Sequence, residues 1–488
     1  MTSHRQIFKS TAIVGGASVI NIAIGIIKVK VLAVLLGPSG VGLMGLYQNI
    51  MGMGATLAGC GIASSGVRQL AVSAGEAEIL AVVRRALWQG NLILGIVGMF
   101  VLWLLREPVA QWVFGDAAHM GEVGWLGVGV LLTLIAGSQT ALLQGLRRIG
   151  DLARVTVISA SFSAAAGILL VYWLGQAGVI WVVLVAPAIS IVVADYYAAR
   201  LPRTDSSPDW QAIKRQWQAM LVLGIPIMAA GFLTLATQLA ARSLIVHELG
   251  LDASGYFQAA WAISMTYIGF VLGAMSADYY PRLTAAIEDH SQACKLVNEQ
   301  TEMALLLAGP ALLGMITLAP WVIHLLYAES FAPAADLLRW QVLGDILKVA
   351  GWPMGFILLA MGRGRTFICT EFIWSAVYLG VIALELEQVG LVIAGVGFWV
   401  AYLVYFTAMV IVSVRLIGFK PIRRNWIYML VLLLAAGLVI YIAGSSVGME
   451  YRIGLLVTLA TGAYSLHRLD KLLDLRGQVR RRLLNDVN

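Results

Sequence analysis

Charge is what this chain has least of. Asp, Glu, Lys and Arg make up only 12% of its 488 residues, about half the share of a soluble domain. The deficit runs the whole length, so the chain is not a soluble enzyme with an anchor. Cysteine is scarcer still. Cys60, Cys294 and Cys369 are odd in number and far apart, which speaks against a disulfide framework or a metal cluster. There is no G-x-x-x-x-G-K-[ST] phosphate loop, no H-E-x-x-H and no C-x-x-C, and the missing phosphate loop excludes ATP hydrolysis by that route. No cofactor is called for. The longest stretch expected outside the membrane, around Arg106 to Glu122, is too short for a catalytic domain.

What is present is apolar length. Hydrophobic residues are 60% of the chain and the mean hydropathy is +0.85. Since a membrane helix needs about 20 mainly apolar residues, the pattern predicts an all-α polytopic protein with 14 spans. Six lie at Ile13–Leu36, Val41–Ala63, Leu87–Leu105, Val123–Leu143, Val155–Leu174 and Val179–Ala199. After the polar loop RLPRTDSSPDWQAIKRQWQ, six more lie at Met220–Arg242, Tyr256–Met275, Met303–Leu318, Leu337–Met361, Phe367–Leu384 and Leu391–Val414. Two follow a basic loop, at Trp426–Ala443 and Ile453–Leu466. The first stretch is too long for a signal-peptide core, carries lysines and lacks an A-x-A site, so it reads as a retained span.

The net charge of +7 would suggest nucleic acid in a soluble protein. Here the basic residues sit in short loops and set topology instead. With the N-terminus in the cytoplasm, 26 of the 33 Lys and Arg residues fall in cytoplasmic loops and tails, and only Arg106 and Arg452 fall outside. That asymmetry predicts both termini inside. The tail HRLDKLLDLRGQVRRRLLNDVN is amphipathic and basic, suited to the anionic inner leaflet.

The chain also repeats itself. LLGPSGVGLMG resembles ELGLDASGYFQ, with Gly37 on Gly250 and Gly42 on Gly255, an offset of 213. The same offset pairs Leu70 with Leu283 and Phe114 with Tyr327, and an offset of 212 pairs Gly178 with Gly390. Six spans return the chain to its starting face, so the repeat is parallel. The expected organisation is a six-helix lobe over 1–205, a second over 206–416, an appended hairpin over 417–466 and the tail over 467–488.

Five basic residues fall inside spans, and these are the candidate sites. A charge at bilayer centre costs roughly 2.5–3.5 kcal/mol, so it marks function or a partner. Asp345 and Lys348, at i and i+3 in span ten, share a helix face. They form either a structural pair, or an anion-attracting lysine beside an Asp345 that tunes its charge or binds a coupling cation. Lys30 lies about 9 Å from its span's outer end, within reach of snorkelling. Arg242 is one residue from its repeat equivalent, so each lobe offers a cation at similar depth. Lys28, two residues from Lys30, points elsewhere. Glu371 is either interfacial or a proton or cation site. Arg339 is expected to anchor at the external interface. Asp195 and Asp278, at span ends, are expected to be structural. Gln48, Asn49, Gln139 and Gln238 are suited to sugars or to joining helices. The intramembrane set sums to +3, favouring an anionic substrate.

The segments LLGPSGVGLMGLYQNI, LAGCGIASSGVRQLA, ADYYPRLT and especially FAPAADLLRWQVLGDILKVAGWPMGF resemble the Wzx-type flippases. These comprise the O-antigen translocases and the lipid III flippase of enterobacterial common antigen. They form a branch of the multidrug/oligosaccharidyl-lipid/polysaccharide exporter superfamily. The resemblance covers spans one to twelve. It implies a V-shaped pair of six-helix lobes around a cationic cavity. It also implies alternating-access transfer of undecaprenyl-diphosphate-linked oligosaccharide from the inner to the outer leaflet of the bacterial inner membrane, coupled to an H+ or Na+ gradient. Membrane lipids and the polysaccharide polymerase and chain-length machinery are the other implied partners, and nucleic acid is not one. Lys30, Arg242, Asp345, Lys348 and Glu371 fall where the family carries charge, whereas Lys28 has no such support. Twelve spans are usual in the family, so the final hairpin departs from it; lipid II flippases of the same superfamily have fourteen. The rivals are a drug/cation antiporter of the same superfamily, a lipid II flippase, and a membrane-embedded polysaccharide polymerase or ligase. The first predicts acidic cavity residues, and the last a large external loop.

Overall fold

The computed structural model describes residues 3–201, 209–444 and 448–473; the tail from 474 onward, expected on the membrane surface, lies outside them. Among the described residues the chain forms fifteen α-helices and no strand. These are α1 (Ser3–Gly59), α2 (Ile62–Val72), α3 (Ala77–Leu104), α4 (Arg106–Phe114), α5 (Met120–Gly145), α6 (Ile149–Leu174), α7 (Val179–Ala199) and α8 (Trp210–Ala286). There follow α9 (His290–Thr317), α10 (Ala319–Leu326), α11 (Ala334–Ala360), α12 (Gly364–Val389), α13 (Val392–Ile417), α14 (Arg423–Ala443) and α15 (Met449–Leu473). Ten stretches are long and apolar enough to cross a membrane. Three of them hold two passages each, because α1 and α8 are broken by glycine and α6 turns into α7. Thirteen passages result among the described residues; α15, 25 residues long and expected to hold the fourteenth, is not apolar enough to count with them.

The breaks follow from backbone chemistry. Gly37 (φ 66°, ψ −173°) and Gly250 (φ 81°, ψ 179°) adopt the same non-helical conformation, one open to glycine and closed to L side chains. Pro38 also disfavours helix at Gly37, whereas Gly250 breaks the chain unaided. From there the halves keep step. α3 and α9 are each 28 residues long, and each is followed by a short helix, α4 or α10. The register then slips by two residues. Arg147 (φ 53°) corresponds to Gly362 (φ 67°), and Gly390 (φ 77°) to Gly175 (φ 60°), both ending a helix. The expected partner of Gly390, Gly178, is instead helical.

One difference between the halves is large. The helix after Gly37 breaks again at Cys60 (φ 47°) and Gly61 (φ 67°) before α2. Its counterpart after Gly250 runs unbroken to Ala286. Gly61 lies against Gly224 of α8 so closely that a Cβ on either would collide with the other's backbone. At the far end of the same two helices, a Cβ on Gly42 would sit 2.6 Å from the Leu251 carbonyl oxygen, and one on Gly255 would strike Pro38. Asn49 donates to Gln238 midway, at 3.5 Å. This backbone-to-backbone seam explains where the compact units divide. One comprises Met1–Gly255 with Leu326–Ser330, the other Tyr256–Leu325 with Phe331–Asn488. The boundary therefore falls inside α8, not in the loop near 206 where the repeat ends. The seventh expected span packs with the first unit.

The first unit is organised around Leu32, Leu46, Tyr47 and Ile50 of α1, packed on Leu126 of α5 and Val183 of α7. The second is built on α11, buried on nearly every side, as an apolar helix at a core must be. Polar residues extend two helices past their apolar cores. α9 begins at His290, with Asp289 accepting from the Ser291 and Gln292 amides at 3.0 and 3.1 Å, a side-chain cap. Further along, Glu302 accepts from Arg424 (2.5 Å) and Arg468 (3.0 Å). At the other end of α15, Glu450 accepts from Arg339 at 2.8 Å. The appended hairpin α14–α15 is thus pinned near both ends to α9 and α11. Arg339, expected at the external interface, is 5% exposed and also bonds Asp336 at 2.9 Å.

Candidate functional site

The second unit brings three of the candidate charges together, two of them on one cavity. Lys348 of α11 and Glu371 of α12 line it, with α13 completing the walls, and Asp345 lies one turn before Lys348 on α11. Asp345 is fully buried and accepts from the Ser264 hydroxyl at 2.5 Å. Its other carboxyl oxygen, Oδ1, is buried without a hydrogen-bond partner. Lys348 makes no ion pair with Asp345 within 4.0 Å among the described residues. Its Nζ lies 3.2 Å from Met265 Sδ, 5.6 Å from the Tyr402 ring and 5.9 Å from the Phe398 ring, at cation–π range. Glu371 accepts from the Tyr405 hydroxyl at 3.0 Å. The helical neighbours of the i, i+3 spacing therefore each hold a different partner.

A cavity of about 290 Å³ opens among Lys348, Glu371, Trp352, Trp374, Tyr402 and Tyr405. Trp374 stacks on Tyr378 (5.2 Å, 24°) and leans on Tyr402 (5.4 Å). Its indole nitrogen is also buried without a hydrogen-bond partner. Unpaired buried polar atoms are rare because each costs roughly 1–3 kcal/mol. Two of them, on Asp345 and Trp374, mark this part of the unit as polar chemistry held in place by packing. Locally two carboxyl groups face one ammonium. The cationic surplus read from the whole chain therefore comes from elsewhere.

Apart from Arg339, that remainder lies in the first unit. Lys28 and Lys30 are half-buried on α1, and Lys28 Cε packs 3.7 Å from where a Cβ of Gly167 in α6 would stand. Arg242 of α8 is 3% exposed, within electrostatic range of Tyr327. Gln139 of α5 donates to Asp195 of α7 at 3.1 Å, tying two helices, whereas in the second unit Arg282 donates to Asp278 at 3.0 Å within α8.

Sequence reasoning found the charges but missed their neutral partners. Ser264, Met265 and the aromatic wall carry no charge anomaly inside a span. One signal was available: Phe398, Tyr402 and Tyr405, at i, i+4 and i+7 on α13, form one aromatic helix face.

These features place the chain among polytopic, internally repeated membrane transporters. Residues 31–336 match the family described as Polysaccharide biosynthesis protein, and the chain belongs to that family. It is 22% identical over 410 residues to the lipid III flippases of Escherichia coli K12 and Shigella flexneri, covering 82% of this chain and 96% of each relative. In fold it is similar to the lipid II flippase MurJ in an inward closed conformation (TM-score 0.68, 11% identity, 96% of this chain and 99% of that one). It is also similar to an inward-facing multidrug resistance MATE transporter of the MOP superfamily (TM-score 0.60, 17% identity, 82% and 98%).

Proposed function

We propose that this protein is a flippase that carries an undecaprenyl-diphosphate-linked oligosaccharide across the bacterial inner membrane, cytoplasmic to periplasmic leaflet, by alternating access. Both termini lie in the cytoplasm. Family membership and the lipid III flippase relatives support the substrate class. The observation that carries the mechanism is Lys348 and Glu371 lining an aromatic cavity, with the fully buried Asp345 one turn away on α11. A lysine deep in an apolar helix is tolerated only where it has work or a partner, and here no carboxylate is bonded to it directly.

Lys348 is the substrate-contacting cation of the second unit, and Lys30 and Arg242 serve the first. Asp345 and Glu371 exchange the coupling H+ or Na+ and set the charge that Lys348 presents. The prenyl tail stays in lipid, so only the diphosphate and sugars need polar surroundings. The test is transbilayer movement of a labelled undecaprenyl-diphosphate glycan in proteoliposomes, with and without an imposed ion gradient. Protein-dependent movement is expected from the wild type, and none from Lys348→Ala at matched reconstitution. No movement by the wild type under any gradient refutes the flippase, and wild-type rates in the variant refute the role of Lys348.

A further inference from the structure

A cavity of about 510 Å³ lies away from the charged cluster. It is in the first unit, where the end of α3 faces the start of α5. Phe100 and Trp103 of α3 and Trp125 of α5 wall it, and each is about half exposed. Its floor is glycine: a Cβ at Gly121 would meet nothing within 4 Å, and one at Gly124 would lie 3.5 Å from both Arg106 and Trp103. Arg106 closes one end, with its guanidinium 4.2 Å over the Trp103 ring.

Arg106 is one of only two basic residues on its expected membrane face. No carboxylate approaches it within 4.0 Å among the described residues, although three acids lie close in sequence. Each has another partner: Glu107 accepts from Gln111 (3.5 Å), Asp116 from the Ala118 amide (2.9 Å), and Glu122 faces His119 at 4.0 Å. A planar guanidinium held flat on an indole keeps its donor edge free for a phosphate. Trp103 and Trp125 fall at the expected external ends of their spans, where aromatic residues commonly meet lipid headgroups.

We propose that this groove is a binding site for one anionic phospholipid of the surrounding leaflet. Its phosphate pairs with Arg106, and an acyl chain lies over Gly121 and Gly124 between α3 and α5. The charge complement selects a lipid with net negative charge. None of the three acids lines the groove, so its lining offers no carboxylate to the ammonium of a zwitterionic headgroup. The site is independent of the flippase reading, because it requires only that the membrane surround α3 and α5.

Two variants test it separately. Arg106→Gln removes the charge. Gly121→Leu fills the groove from a position with open space, on a helix that favours leucine over glycine. The measurement is native mass spectrometry of the intact protein titrated with phosphatidylglycerol or phosphatidylethanolamine. Expected is one phosphatidylglycerol adduct weakened roughly tenfold or more in each variant, the scale of one charge-assisted contact, with phosphatidylethanolamine binding unchanged. Equal phosphatidylglycerol binding by wild type and either folded variant overturns the proposal. So does an adduct that both lipids form equally, or one that only undecaprenyl diphosphate displaces.

Discussion

The two halves of this protein share a scaffold and differ in what they put inside it. Each has a glycine-broken long helix, a 28-residue helix and a short helix in the same order. Yet the first compact unit contributes the cations Lys28, Lys30 and Arg242. The second surrounds one lysine with two carboxyl groups and an aromatic wall. Apart from the second break at Cys60 and Gly61, the main backbone breaks recur in both halves; the side-chain chemistry does not. Helix breaks and lengths are set by a few glycines and by apolar extent, which leaves the facing side chains free to diverge.

The sharpest way to break the comparison is to make the second half resemble the first. Asp345→Asn keeps a group that can pair with Ser264 and removes the charge. Transport in proteoliposomes should fall by roughly 100-fold or more and lose its response to an imposed ion gradient. Glu371→Gln should act in the same direction. If gradient dependence survives both, the second half is not the coupling half.

Next in size is a stability effect that also separates the halves, since only the second carries the hairpin. Arg339→Met leaves Glu450 buried with no cation, at a cost of about 3–5 kcal/mol, read as a lowered melting temperature in detergent. The double variant Arg339→Met/Glu450→Leu should recover most of the loss. Without that recovery, Arg339 contributes by something other than pairing Glu450.

A cation of the first unit should matter less. Arg242→Gln is expected to weaken apparent substrate affinity about tenfold, near 1.4 kcal/mol, while gradient dependence stays intact. A lost gradient response would erase the division of roles. Smallest is Tyr405→Phe, which removes one hydrogen bond to Glu371, about 1 kcal/mol. It should shift the pH profile of transport slightly and leave the melting temperature nearly unchanged.

The sequence made the helices legible wherever they were apolar, and it made Gly37 and Gly250 legible as a repeated pair. It hid the first turns of α9, because HSQACKLVNEQTE reads as a loop until Arg424 and Arg468 arrive from more than 120 residues away to pair Glu302. It hid the role of Arg339 for the same reason, since Glu450 is 111 residues distant. Among the site residues, charge within a span was visible as an energetic anomaly. Ser264 and Tyr405 were not, because a hydroxyl in a helix can bond its own backbone and need signal nothing. The unit boundary inside α8 was invisible because it depends on glycines meeting glycines across helices.

That meeting has a mechanical meaning. Where Gly61 lies on Gly224, and Pro38 on Gly255, main chain touches main chain with no side chain between. Side chains can change rotamer and let a contact loosen by degrees. Bare backbone cannot, so such a seam is either shut or parted, with no intermediate grip. The helix from Pro38 to Gly59 is fastened in this way near both ends, which makes each end a fulcrum for the other. A single methyl group at residue 224 would then act as a wedge, prying one end open while the other still holds.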